Sequence, residues 1–133
     1  MAKQKSLTTY KKKAWSLLSK IKRLEGADSE GMCVCYTCGA RKHWKEMQAG
    51  HLLDGRSNSI LFEENGIQIQ CVGCNMFKSG NKEEFIPKFI KDQGQEEFDR
   101  LKALKNTTRK ISISEYEDMI ANYKERLNDL GDS

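Results

Sequence analysis

Two C-x-x-C knuckles, Cys35-Tyr36-Thr37-Cys38 and Cys71-Val72-Gly73-Cys74, stand 32 residues apart in a chain of 133. Four thiolates in two such pairs are the ligand set that tetrahedral structural zinc prefers, at Zn–S distances of about 2.3 Å. If the pairs share one ion, the fold must close the intervening segment into a loop. The rival use of C-x-x-C is thiol redox chemistry, which expects a single motif leading into a helix of a βαβ unit. The sequence has no such unit. Five cysteines, an odd number, fit thiolate ligation in a reducing compartment better than a disulfide framework. Cys33 is left over. A C-x4-C variant would use it in place of Cys35, but the tight spacing followed by Gly39 favours Cys35 and Cys38 as ligands. Cys33 is then a partly buried small residue without an assigned role.

Zinc also answers a shortage. Hydrophobic residues make up 38% of the chain and charged residues 32%, a modest apolar supply for a domain that must offset its own ordering entropy. Zinc in a four-cysteine site carries an apparent binding energy of roughly 10–16 kcal/mol, released as folding energy.

The periodicity around the knuckles is helical. Leu7, Tyr10, Ala14, Leu17, Leu18, Ile21 and Leu24 recur every three or four residues, which predicts an amphipathic helix over 6–25 with Gly26 just past its end. Residues 33–81 form the central unit, read as short strands with turns at Gly39, Gly55 and Gly66, a β-like run at Ile60–Phe62, and a helix starting near the second knuckle and carrying Asn75, Phe77 and Lys78. Phe85, Ile86, Phe89 and Ile90 mark one further helix. Phe98, Leu101 and Leu104 mark another beyond Gly94. Ser114 with Glu117 reads as a capping box for a last helix over 115–130. The economical arrangement is a single α+β domain over 1–133, with helices 6–25 and 82–130 wrapped around the cysteine unit.

Net charge is +4 and the sequence pI about 8.8. The distribution is more informative than the total. Up to Arg23 every charged side chain is basic (Lys3, Lys5, Lys11, Lys12, Lys13, Lys20, Lys22, Arg23), whereas acids outnumber bases from Glu83 onward. This one-sided pattern suits a polyanionic partner, against the plainer reading of a solvated helix face. No window approaches the roughly 20 apolar residues of a membrane span, so a cytoplasmic protein is expected.

Of the two histidines, His43 reads as structural or exposed. His51 follows Gly50 between the knuckles, and Asn75 directly follows the last cysteine. A shared zinc would pin the histidine-bearing segment against the start of the asparagine-bearing helix. An imidazole general base and an oxygen ligand for a hard divalent cation would then face one phosphate.

The order C-x-x-C, G-H, Q-C-x-x-C-N and K-S-G-N resembles the HNH, or His-Me finger, nucleases with a zinc-bound ββα-metal core. The wider pattern Q-A-G-H, F-x-E-x-x-I, Q-C-V-x-C-N-x-x-K-S-G-N resembles in particular the NinG/Rap family of lambdoid phage recombination endonucleases. The resemblance covers most of the chain, with the central motifs its specific part. It implies a structure-specific endonuclease acting on Holliday junctions or D-loops in the host cytoplasm, with phage or host recombination proteins as partners. By position, His51 would be the general base, Asn75 a ligand of catalytic Mg²⁺ or Mn²⁺, and Cys35, Cys38, Cys71 and Cys74 the structural zinc ligands. Lys78 would contact phosphate or stabilise developing charge.

Two positions depart from the HNH pattern. Many of those enzymes have an aspartate metal ligand where this chain has Gly50, which leaves Asn75, phosphate, water and Asp54 to hold the ion. The asparagine that usually orients the histidine is replaced by Gly66, with Asn65 adjacent as a substitute. A non-catalytic zinc module that binds branched or single-stranded nucleic acid is the alternative these departures favour. A protein-interaction module using the acidic last helix is a third.

Branched DNA has no required base sequence, so recognition would rest on phosphates and shape. Lys11, Lys12, Lys13, Lys20 and Arg23 fall on the first helix, and Arg41, Lys42, Arg56 and Lys78 near the cysteine unit. Tyr36, Trp44 and Phe77 are read as aromatics buried beside zinc rather than as base-stacking platforms. Symmetric cleavage of a four-way junction would need two active sites and hence a homodimer.

Overall fold

The computed structural model describes residues 6–131; Lys3 and Lys5 lie outside them. Helix α1 (Leu7–Glu25) begins where Ser6 accepts a hydrogen bond from the Thr9 N–H at 3.3 Å, and buries Ala14, Leu18 and Ile21. Lys22 and Arg23 in its last turn complement the helix dipole. Two antiparallel pairs of strands follow. β1 (Met32–Val34) pairs with β2 (Arg41–His43), Cys33 opposite Lys42. β3 (Met47–His51) pairs with β4 (Ile67–Cys71), Met47 opposite Cys71 and His51 opposite Ile67. An isolated two-stranded pair is marginal in water. β1–β2 is held by the Tyr36 N–H, which donates to the Ile69 carbonyl of β4 at 2.8 Å.

Between β3 and β4 lies α2 (Asn58–Leu61), so in the run Ile60–Phe62 the first two residues are helical and Phe62 is the C-cap, in place of the expected strand. A three-residue apolar run carries no period to separate the two states, and here Ser57 supplies a helix cap. After β4 the chain makes one π-helical turn (Gly73–Phe77) that carries Asn75 and Phe77 and ends at Lys78. The helix expected there stops because Ser79 (φ 49°), Gly80 (φ 90°) and Asn81 (φ 49°) take left-handed conformations. α3 (Lys82–Gln93) and α4 (Gln95–Lys105) are separated by Gly94 at φ 95°, as read from the sequence.

The last helix, α5 (Ile113–Asp129), starts two residues before the predicted point. The capping box is Ser112 with Glu115, not Ser114 with Glu117. Both pairs satisfy the S-x-x-E pattern. The earlier one places Ile111 before the cap and Tyr116 at the fourth helical position, and both are buried in one cluster as a hydrophobic staple. Ser112→Ala should therefore lower stability by about 1 kcal/mol in chemical denaturation, and Ser114→Ala by a few tenths at most.

The arrangement is mixed α+β, with two small sheets and flanking helices. α1 and α5 pack together and against β3 and α2 around Leu18, Ile21, Ile67 and Tyr116. Arg126 of α5 locks this layer, pairing with Glu64 at 2.9 Å and Glu25 at 3.1 Å. The Arg126 guanidinium holds the Glu64 carboxyl below its usual range. α3 and α4 form a second cluster around Phe85 and Phe89. A third consists of Cys33, Cys35, Met47, Cys71 and Cys74. No described helix is long and apolar enough to cross a membrane.

Candidate functional site

The first knuckle is a tight turn closed by Cys35 N–H to Ala40 O (2.8 Å) and Gly39 N–H to Cys35 O (3.0 Å), with Gly39 at φ 80°. The second joins the end of β4 to the π turn. Together they bring the sulfurs of Cys35, Cys38, Cys71 and Cys74 within 4.8 Å of one another, and Cys38 and Cys71 to 3.7 Å. A tetrahedron with 2.3 Å bonds has edges of about 3.8 Å, so the cluster can hold a metal ion such as zinc. The surrounding donors suit thiolates. The Cys74 N–H donates to Cys71 Sγ at 3.4 Å, and Asn81 Nδ2 to Cys74 Sγ at 3.5 Å. Burial raises the Cys35 thiol, but hydrogen bonds from the Thr37 hydroxyl and the main chain of Cys71, Thr37 and Cys38 outweigh it and bring it to about 6. The Ala40 N–H lowers the Cys38 thiol, but burial and hydrogen bonding to the other three sulfurs push it up to about 12. Without a cation Cys35 and Cys38 do not ionise together. Cys33 is outside the cluster, fully buried, and donates to the Arg23 carbonyl at 3.3 Å.

His51 ends β3, and its ring packs on Trp15 of α1 at a centroid separation of 4.7 Å. Nε2 lies 3.1 Å from the Leu61 carbonyl. A carbonyl only accepts, so Nε2 carries the proton and Nδ1 keeps its lone pair. Burial lowers the imidazole below its ordinary 6.5, the Leu61 bond opposes this, and Arg56 and Lys82 add to it. His51 is therefore a neutral base at neutral pH. Asn75 donates from Nδ2 to Gln48 Oε1 at 2.7 Å, which turns its Oδ1 the other way. His51 and Asn75 line two adjoining grooves together. One, of about 400 Å³, also has Asp54, Arg56 and Lys82 in its wall; the other, of about 540 Å³, has Trp15, Ser19, Arg23 and Lys45.

Other expected site residues are distributed less simply. Asn65 does not reach His51: its amide donates to Glu97 at 2.8 Å, and the Leu61 carbonyl holds the imidazole instead. Asp54 lies beside the site but is paired with Lys82 at 3.5 Å. Lys78 is exposed and lines neither groove. Arg23 and Arg56 face the grooves, and Lys11 reaches them by donating to the Arg56 carbonyl at 2.6 Å. Lys13 instead faces a cleft between α1 and α5. Lys12 is exposed on α1, and Lys20 lies 5.9 Å from the Trp44 ring centre. Arg41 is engaged by Asp28 at 2.6 Å on the β1–β2 sheet, where Lys42 is also exposed. Phe77 is not buried beside the cysteines but 84% exposed, because the short π turn offers it no neighbouring layer. Tyr36 and Trp44 are half-buried, the Tyr36 hydroxyl donating to Asp92 at 2.8 Å. His43 has a structural role, accepting from the Lys45 N–H at 3.2 Å.

Sequence reasoning missed Trp15, Gln48, Lys45 and Lys82. Trp15 left a trace: it is an aromatic on the polar stripe Lys11, Trp15, Ser19, Arg23, spaced by four along α1. Gln48 left one as well, as the first residue of Q-A-G-H, and Lys45 left none.

A family profile described as Bacteriophage Lambda NinG protein matches residues 1–132. The chain is 32% identical over 100 residues to the protein ninG of Escherichia phage 933W and 33% identical over 100 residues to that of Escherichia phage lambda. Each match covers 74% of this chain, and 49% and 48% of those proteins. The chain thus spans about half the length of the curated relatives it matches. No solved structure matches it.

Proposed function

The chain belongs to the NinG family of bacteriophage proteins, and from that premise we propose that it is a divalent-metal-dependent, HNH-type endonuclease that cuts branched DNA. The observation that carries this reading is the pairing of His51, a base with its proton held on Nε2, with Asn75 on one basic surface. β3, β4 and the π turn would serve as the ββα core, with zinc at the cysteines joining hairpin to turn.

His51 Nδ1 takes the proton from the attacking water while the Leu61 carbonyl keeps the imidazole in one tautomer. Asn75 is the residue that would hold Mg²⁺ or Mn²⁺, and a cation there would neutralise charge on the scissile phosphate. Arg56 and Lys82 face the same groove and draw the phosphate towards it. The test is incubation with a synthetic four-way junction, a D-loop and linear duplex, with Mg²⁺ or Mn²⁺ and with chelator. Metal-dependent nicking of the branched substrates supports the reading. Salt-dependent binding without nicking identifies a nucleic-acid-binding zinc module instead.

Binding itself should weaken steeply with salt, by about 0.9 log units per log unit of salt for each phosphate neutralised. Fluorescence anisotropy across a salt series should show Arg56→Ala flattening that slope by about 1. Arg41→Ala, already paired with Asp28 on the other sheet, should leave it unchanged.

A further inference from the structure

Gln70 stands opposite Gln48 in the β3–β4 ladder and is fully buried. Its Nε2 donates to the Gly80 carbonyl at 2.8 Å and to Thr37 Oγ1 at 3.1 Å. Because a main-chain carbonyl can only accept, the amide nitrogen must face Gly80, and Oε1 is turned into the space over Gly50. A Cβ on residue 50 would fall 1.8 Å from Gln70 Oε1 and 3.0 Å from Asn75 Oδ1. Two amide oxygens thus converge on one small volume that only glycine at position 50 leaves clear. Among the described residues, Gln70 Oε1 is the buried side-chain oxygen left without a hydrogen-bond partner. Converging oxygens with no donor between them repel, and the repulsion becomes attraction when a hard cation is placed among them.

We infer that Gln70 Oε1 is a ligand of the divalent cation, seated beside Asn75 Oδ1. The inference rests on the endonuclease reading insofar as that reading places a cation at Asn75. It also joins the two metal centres. Thr37 Oγ1, which accepts from Gln70, lies 3.5 Å from Cys35 Sγ, so a filled cysteine cluster fixes where the Gln70 oxygen points.

The test is Mn²⁺ binding to the zinc-loaded full chain, followed by the electron paramagnetic resonance of free Mn²⁺, with zinc content and circular dichroism measured in parallel. The wild-type chain should bind one Mn²⁺ beyond its zinc, and Gln70→Ala should weaken that affinity about 10- to 100-fold with zinc retained. The double variant Gly50→Asp/Gln70→Ala should recover most of it, because a carboxylate grown from residue 50 enters the space the glutamine oxygen vacates. Asn75→Ala is run beside them. Loss of Mn²⁺ in Asn75→Ala with unchanged affinity in Gln70→Ala overturns the role of Gln70 alone. No Mn²⁺ binding by the wild type, or none lost in either variant, overturns the metal reading of the site as well. If Gln70→Ala does not fold, the double variant decides: Mn²⁺ binding near the wild-type level supports the inference, and its absence rejects it.

Discussion

A Cys74→Ser variant is expected to lose its bound zinc and its cooperative unfolding transition, and a strong chelator is expected to do the same to the wild-type chain. The energetic reason is local. The cluster of Cys33, Cys35, Met47, Cys71 and Cys74 is built largely of short sulfur side chains, and β1 and β2 have three residues each. Little apolar surface is available there to hold β1–β2 on β4. A zinc ion in a four-cysteine site supplies roughly 10–16 kcal/mol of apparent binding energy, which exceeds the usual net stability of about 5–15 kcal/mol for a domain. Metal analysis should give one zinc per chain in the wild type and in Cys33→Ser, whose thiol faces the Arg23 carbonyl and not the other sulfurs. A Cys74→Ser chain that unfolds cooperatively at the wild-type temperature would remove zinc from the account of the fold.

His51→Ala is expected to reduce nicking by about 10²- to 10⁴-fold, the range of a general base, while junction binding measured in chelator stays as it was. Added imidazole should restore part of the rate by filling the space beside Trp15. The pH dependence has a definite sign. A general base at His51 would work when neutral, and burial lowers its pKa below the ordinary 6.5, so activity should persist as pH falls through 6.5 and be lost at a lower midpoint. The same shift means the unfolded chain takes up this proton more readily than the native one. Stability conferred by neutral His51 is therefore lost as pH falls below 6.5, and the rate profile must be read where circular dichroism shows the fold intact. Nicking that survives His51→Ala undiminished would exclude the mechanism.

The contrast between Cys35 and Asn65 shows how much of the site the chain order makes legible. The cysteines could be named as one cluster because a thiolate pair at C-x-x-C spacing has few chemical uses, and the first pair is closed by a turn within residues 35–40. Asn65 was a natural substitute for an orienting group because it sits next to the expected position. The imidazole instead bonds to a main-chain carbonyl, Leu61 O, which every residue possesses and no residue type advertises. The helix start at Ser112 went the same way. Two S-x-x-E pairs two residues apart are locally equivalent, and burial of Ile111 against Tyr116 separates them.

By itself, then, the sequence determined the features whose causes are local: the cysteine cluster, the amphipathic first helix, and the break at Gly94. Tertiary structure alone decided which nitrogen of His51 carries the proton, that Trp15 backs its ring, and that Gly50 lies under the oxygen of Gln70. The physical reason is range. Caps, turns and thiolate pairs are satisfied within a few residues, so their requirements are written in neighbouring letters. A buried amide or imidazole is satisfied by whichever distant group folding brings within about 3 Å, and that choice exists only once the strands have paired.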